Sequence, residues 1–170
     1  MREADIRSEY KQHLCGHVRY MAHRLRKLPA DKWDWTPDPA APTARILATH
    51  TWQWLICDRQ HIVDPDPANH PLLPDPPDDP SAMCDAMDAE ISVWERMIDA
   101  LTLEQLAEPR TQFGQGDLNV LWFLGHMLQN CIYKHGQFST LFFALGLDGV
   151  EPYDAPFPNT FYRQLREETA

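Results

Sequence analysis

Residues 117–145, DLNVLWFLGHMLQNCIYKHGQFSTLFFAL, form the longest and most apolar stretch of the chain. The stretch contains no proline, and Gly146 follows it where the C-cap of a helix is expected. Apolar residues would cover most of the circumference of a helix here, which predicts a helix at the centre of the fold. One ridge of that helix stays polar, at spacings of four, four and three residues: His126, Asn130, Lys134 and Gln137.

Three earlier segments carry apolar residues at the three- and four-residue spacing of amphipathic helices. They cover residues 3–28, 42–63 and 81–101, and Thr102 is placed to cap a short additional turn through Leu106. No segment shows the alternation of apolar and polar residues that is typical of a strand. The sequence therefore predicts an all-α protein.

The segment 64–80 contains seven of the fifteen prolines and five aspartates, so neither a helix nor an interior strand can form there. A domain linker is one interpretation, but each half of the chain would then hold too few helices to close a core. We therefore expect a long crossover loop within a four-helix bundle. The predicted domain is a bundle over residues 1–148, followed by an irregular C-terminal tail over 149–170 that packs on it.

The composition limits the range of partners. The 170 residues include 15 Lys and Arg against 25 Asp and Glu, and the formal charge of −10 disfavours nucleic acid and anionic lipid surfaces as partners. No apolar run reaches the roughly 18 residues of a membrane span, and the N-terminus lacks the pattern of a signal peptide. We expect a cytoplasmic protein. Its four cysteines lie far apart and are interpreted as core thiols.

Two sets of histidines invite a metal interpretation. His13 and His17 have the i, i+4 spacing that lets two imidazoles share an ion, but they flank the apolar stripe and are interpreted as solvated or core-edge residues. His50 lies within the apolar face of the second predicted helix. An imidazole in that position has to be neutral and hydrogen-bonded.

Several stretches together resemble the DinB/YfiT-like superfamily of four-helix bundles, over about residues 5–148. The resemblance rests on WDWTPDP at 33–39, on ARILATHTWQW at 44–54, and on the long crossover that follows them. It rests also on FLGHMLQNCIYKHGQFSTLFFALGLDG at 123–149, which contains the aromatic-x-x-Gly-Gln signature at 133–137.

The resemblance implies a divalent-metal site with three histidines, one on the second helix and two spaced by four on the last helix. The matching positions here are His50, Asn130 and Lys134, and His135 stands where the family usually has arginine. Asparagine oxygen is a poor ligand for zinc or nickel, and a lysine ammonium repels a cation. We therefore expect no metal and no cofactor; any divalent ion, zinc or nickel, would bind at His50. A two-histidine site formed by His50 and His126 is the alternative.

The family resemblance implies a pocket that His50, His126, Asn130 and Lys134 would line, open to a small-molecule ligand. Asn130 and Lys134 have two interpretations. In the favoured one they form a structural plug, hydrogen-bonded to a carboxylate on another helix. In the other, a partly desolvated Lys134 acts as a base or binds an anion.

The predicted function is that of a DinB-like protein of unknown specific activity that keeps the pocket and has lost the three-histidine site. Such a protein would be a non-catalytic small-molecule-binding or stress-associated bundle. The alternative is a small-molecule enzyme, either metal-dependent or metal-independent. Characterised members of the family that the sequence resembles include maleylpyruvate isomerases and thiol-dependent S-transferases that use bacillithiol, mycothiol or glutathione. A hydrolase is a further option.

Apolar residues on the last helix exceed what one stripe requires, which predicts a homodimer. Dimers are also common in the family that the sequence resembles. The residues that motivate this prediction are Trp122, Phe123, Phe138, Phe142 and Phe143.

Overall fold

The computed structural model describes residues 3–112 and 115–147. Four long helical segments dominate this part of the chain, as the sequence predicts. The first is continuous and consists of α1 (Glu3–Tyr10), a π-helical segment (Lys11–Cys15) and α2 (Gly16–Leu25). The others are α3 (Ala44–Val63), α4 (Pro80–Ala100) and α6 (Val120–Ala144), and α5 (Leu103–Leu106) is a single turn. Short 3-10 turns cover Ala30–Lys32 and Pro67–Asn69.

The core lies between these helices. Trp94 of α4 is fully buried and donates its indole N–H to the Leu55 carbonyl oxygen of α3 at 3.1 Å, so this core tryptophan leaves no donor unsatisfied. Phe123, Phe138 and Phe142 of α6 are buried in the same core. Three of the aromatic residues that motivated the dimer prediction therefore stabilise the monomer, while Trp122 and Phe143 stay 38% and 45% exposed.

Side-chain caps determine where the helices begin. The Thr43 hydroxyl accepts the Ile46 N–H at 3.2 Å, in agreement with the predicted entry to α3. Thr102 forms a capping box with Gln105 at the start of α5, also as predicted. For α4, whose start was expected at residue 81, the cap is Asp79: its carboxylate accepts the Ala82 N–H, and Pro80 occupies the first helical position.

A short β-hairpin, which the sequence analysis did not predict, precedes α6. Its strands are β1 (Pro109–Gln112) and β2 (Gln115–Asn119), paired antiparallel. The helix expected from residue 117 consequently begins at Val120, with the Asn119 side chain accepting the Trp122 N–H at 2.8 Å. Both strands are polar and very short, so they carry no alternating pattern. Buried Arg110 of β1 instead ties the hairpin to α3 by donating to the Ile62 carbonyl oxygen at 2.8 and 3.2 Å.

The connections agree with the predicted bundle. The proline-rich loop joins α3 to α4, which pack against each other, so it is a crossover and not a linker. Gly146 adopts a φ of 68° after α6, and the Leu147 N–H bonds to the Phe142 carbonyl oxygen at 3.0 Å, as in a Schellman cap. The predicted tail over 149–170 lies outside the described residues. No helix in residues 3–112 or 115–147 is long and apolar enough to span a membrane.

Candidate functional site between α3 and α6

Three chemically distinctive side chains share one face of α3, because they recur every four residues: His50, Trp54 and Asp58. This helix packs more extensively against α6 than against any other described element, and α6 carries the polar ridge noted in the sequence. The interface between these two helices therefore brings the polar groups of both into one region.

Asp58 and His126 form a short hydrogen bond between α3 and α6. The Oδ2 atom of Asp58, which is fully buried, lies 2.7 Å from Nδ1 of His126. This hydrogen bond raises the pKa of His126, and burial raises the pKa of Asp58. The imidazole stacks on Trp122, with the ring centroids 5.0 Å apart and the planes 6° apart, and meets Trp54 edge to face at 5.2 Å.

His50 has its hydrogen bonding determined by Trp54. The indole Nε1–H of Trp54 donates to Nε2 of His50 at 2.9 Å, so a neutral His50 carries its proton on Nδ1. That Nδ1 atom is buried and has no hydrogen-bond partner within the described residues. Burial lowers the pKa of His50, and the nearby charge of Lys134 lowers it further, which places Lys134 within electrostatic reach of His50.

Asn130 and Lys134 lie one turn apart on α6, and no described residue supplies the carboxylate partner that the plug interpretation requires. The buried Oδ1 of Asn130 accepts no hydrogen bond from any residue in 3–112 or 115–147. In the described part of the chain no carboxylate pairs with Lys134, whose ammonium lies 5.3 Å from the centre of the Tyr133 ring. Burial lowers the pKa of Lys134. Gln137, next on the ridge, donates to the Tyr133 hydroxyl at 3.3 Å.

The donor set does not fit the three-ligand metal site that the family resemblance implies. Nε2 of His50 already accepts the Trp54 N–H, its Nδ1 carries the proton, and Asn130 and Lys134 replace the other two ligands. The two-histidine alternative stays a prediction: His50 and His126 both contact the Trp54 ring, and Nδ1 of His126 is bonded to Asp58. Among the residues that the structure describes, no three His, Cys, Asp or Glu side chains are grouped to hold an ion.

A second histidine cluster lies between α2 and α6. Nδ1 of His17 and Nδ1 of His135 are 2.8 Å apart, so one ring donates and the other accepts. Burial lowers the pKa of His17 to about 4 and that of His135 to about 3. The predicted core-edge position of His17 is correct. Arg24 lies close enough to lower the His135 pKa further, and it donates to the Ser139 hydroxyl at 2.9 Å.

The cysteines behave as core thiols, in agreement with the prediction. Cys15, Cys84 and Cys131 are buried, and Cys57 is half-buried. Burial raises the pKa of Cys57 and of Cys84 to about 11 and that of the other two further, so all four remain protonated at neutral pH.

Asp58 is the polar residue of this region that the sequence analysis missed. Its signal was present in the i, i+4, i+8 series with His50 and Trp54, which places a carboxylate on an otherwise apolar helix face. A carboxylate at such a position requires a partner from another helix, and that partner, His126, lies 68 residues away in sequence.

Comparison with known proteins agrees with this architecture. The model of the DinB superfamily matches residues 16–138, well over half of the chain. The chain belongs to the DinB superfamily. Its fold is similar to the crystal structure of a DinB-like protein, YjoA, from Bacillus subtilis. That match has a TM-score of 0.69 and 15% identity, and it covers 88% of this chain and 99% of that one. No curated protein matches the chain.

Proposed function

We propose that this DinB superfamily member binds a small organic anion at His50, Asn130 and Lys134 without the help of a metal ion. The observation that supports the proposal is the set of unused hydrogen-bonding groups on facing helices. Within the described residues, Nδ1–H of His50 is a buried donor without a partner, and Oδ1 of Asn130 is a buried acceptor without one. Buried polar groups are normally satisfied, so such atoms indicate positions that a ligand would complete.

Lys134 supplies the charge selectivity. Its ammonium group is partly desolvated, and no carboxylate of the described residues neutralises it. An anion beside Lys134 would remove the energetic cost of this isolated charge, and the same anion would accept the Nδ1–H of His50. A bound metal would have to displace the Trp54 N–H from His50 and tolerate the Lys134 charge, which favours the anion over the cation.

The three groups also restrict the class of anion. Lys134 and His50 offer donors, which suit the two oxygens of a carboxylate, whereas Asn130 offers an acceptor and requires a donor on the ligand. A 2-hydroxy acid combines a carboxylate with a hydroxyl donor at short distance. We therefore expect small hydroxy acids to bind more tightly than simple carboxylates.

The proposal is tested by titrating the full chain with L-lactate, and with neutral L-lactamide as the matched ligand. The readout is the NMR signal of the Trp54 indole N–H, which is hydrogen-bonded to His50. We expect a saturable shift with lactate and none with lactamide. The shift should disappear in Lys134→Met and persist in Lys27→Met, because Lys27 is an exposed lysine of the same charge. Equal responses to the two ligands, or in the two variants, would contradict the proposal.

A further inference from the structure

Asp58 and His126 have the arrangement of a carboxylate–imidazole dyad, and neither belongs to the proposed anion site. Asp58 holds Nδ1 of His126 at 2.7 Å, which places the imidazole proton on Nδ1 and leaves the lone pair on Nε2. Nε2 has no hydrogen bond to any described residue and is not one of the buried polar atoms that lack a partner. With its ring a quarter exposed, His126 thus directs an unoccupied proton acceptor to solvent.

Several contacts fix the position of the His126 ring, as a general base requires. Trp122 covers one face of the imidazole in parallel stacking, and Trp54 meets it edge to face. The carboxylate behind it is completely buried on α3, so it is not free to exchange His126 for water. Three contacts from two helices therefore hold one rotamer and one tautomer.

We infer that His126 is a general base for the hydrolysis of small carboxylic esters with aromatic leaving groups, and that Asp58 is its positioning residue. A water molecule transfers one proton to Nε2 while its oxygen forms a bond to the ester carbonyl carbon. The bond between that carbon and the leaving oxygen then breaks and releases the aryloxide. The imidazolium returns its proton to solvent, so that one ester and one water become one carboxylic acid and one phenol. The two indole rings beside His126 favour an aromatic leaving group.

Other titratable groups of the described residues lie near the dyad. They include Cys57 and His61 on α3 and Cys131 on α6. The pKa of each of the two thiols is raised, so they stay neutral in the range where an imidazole titrates. Because His61 is also an imidazole, the midpoint of the pH profile is assigned to His126 by its loss in His126→Gln.

The test is hydrolysis of p-nitrophenyl acetate by the full chain between pH 5 and pH 9. His126→Gln should lower the rate by about tenfold or more, since general bases contribute roughly 10²- to 10⁴-fold. His13→Gln is the matched control, because the His13 side chain is 41% exposed and, among the described residues, bonds to Glu9, and it should leave the rate unchanged. Asp58→Asn should lower the rate and move the midpoint of the pH profile downward. Full activity in His126→Gln, or an unmoved midpoint in Asp58→Asn, would overturn the inference.

A measurement on the unsubstituted protein covers the case in which Asp58→Asn does not fold. Two-dimensional NMR of the imidazole nitrogens should show neutral His126 with its proton on Nδ1. A proton on Nε2 would overturn the inference, because the acceptor would then be absent. Since neither experiment involves Lys134 or lactate, failure of the anion proposal and failure of this inference are distinguishable.

Discussion

Trp54 donates its indole N–H to Nε2 of His50 across one turn of α3, at 2.9 Å. The family resemblance assigns a metal ligand to His50, and in this chain Nε2 of His50 already accepts the indole N–H. The Trp54 ring also contacts both His50 and His126. One side chain thus occupies a nitrogen of the histidine that the three-ligand and the two-ligand site would share.

Restoring the family's histidines should show that the hydrogen bond from Trp54 competes with a metal ion for His50. The double change Asn130→His, Lys134→His adds two imidazoles to the one supplied by His50, but the hydrogen bond from Trp54 to His50 still competes with the metal. Adding Trp54→Phe should therefore produce a larger rise in melting temperature with zinc than the double variant gives. At a zinc concentration 100 times the Kd the gain would be about 2.7 kcal/mol.

The controls for the zinc experiment are Trp54→Phe alone and the triple variant with His50→Ala added. Neither should respond to zinc more than the parent protein does. An identical zinc response in all the variants would mean that positions 50, 130 and 134 do not converge, and the alignment of this site with the family would then be incorrect.

Acid should destabilise the protein through the contact between His17 and His135. Both rings have a lowered pKa, about 4 and about 3, against 6.5 when unfolded. The unfolded chain therefore binds more protons as pH falls below 6.5, and the free energy of unfolding should fall from there towards pH 4. Urea unfolding at several pH values measures this slope. The double variant His17→Asn, His135→Asn should have a flatter slope, and an unchanged slope would assign the acid sensitivity to other groups.

Arg110 should account for much of the stability of the hairpin. Its guanidinium is buried and donates twice to the Ile62 carbonyl oxygen near the end of α3. Arg110→Ala should lower the free energy of unfolding by about 2 kcal/mol, the range for hydrogen bonds to charged groups. Arg96→Ala removes an exposed arginine of α4 and should change stability by less than about 0.5 kcal/mol. Chemical denaturation of both variants compares them, and equal losses would contradict this role.

The homodimer remains a prediction, and fewer residues of α6 are now candidates for its interface because Phe123, Phe138 and Phe142 are buried in the monomer. On α6 the exposed apolar side chains are Leu121, Trp122, Ile132, Tyr133 and Phe143. Light scattering at micromolar concentration should give about twice the 19.7 kDa chain mass. Ile132→Glu should shift the protein towards the monomer, because Ile132 is half exposed and contributes little to the monomer core. A chain-mass particle for the unsubstituted protein would exclude the dimer.

The local features of the fold could be predicted from the sequence because each depends on neighbours within one turn. Thr43 and Thr102 cap their helices, and Gly146 adopts the left-handed conformation expected at a C-cap. The hairpin was missed because it is held by Arg110 reaching α3, 48 residues away, and not by a pattern within its own strands.

The candidate site was predictable only in part, for the same reason. The face of α6 that carries Asn130 and Lys134 follows from spacing, but the partners of those residues do not. Residue spacing does not predict that Trp54 donates a hydrogen bond to His50 or that Asp58 bonds to His126. Both contacts depend on how side chains are directed within the packed bundle.

The π-helical segment Lys11–Cys15 accommodates one more residue in the first helix than an α-helical turn would. Ile6, Tyr10, Leu14 and Val18 are spaced by four, and in an uninterrupted α-helix each step would rotate the stripe by about 40°. A π turn takes one extra residue, so the stripe packs against the core as though its spacing were four, three and four. Removing one residue inside the segment should therefore leave a regular α-helix whose two ends still face the core. Deleting one residue in α4 would rotate all side chains after the deletion by about 100° around the helix axis relative to those before it.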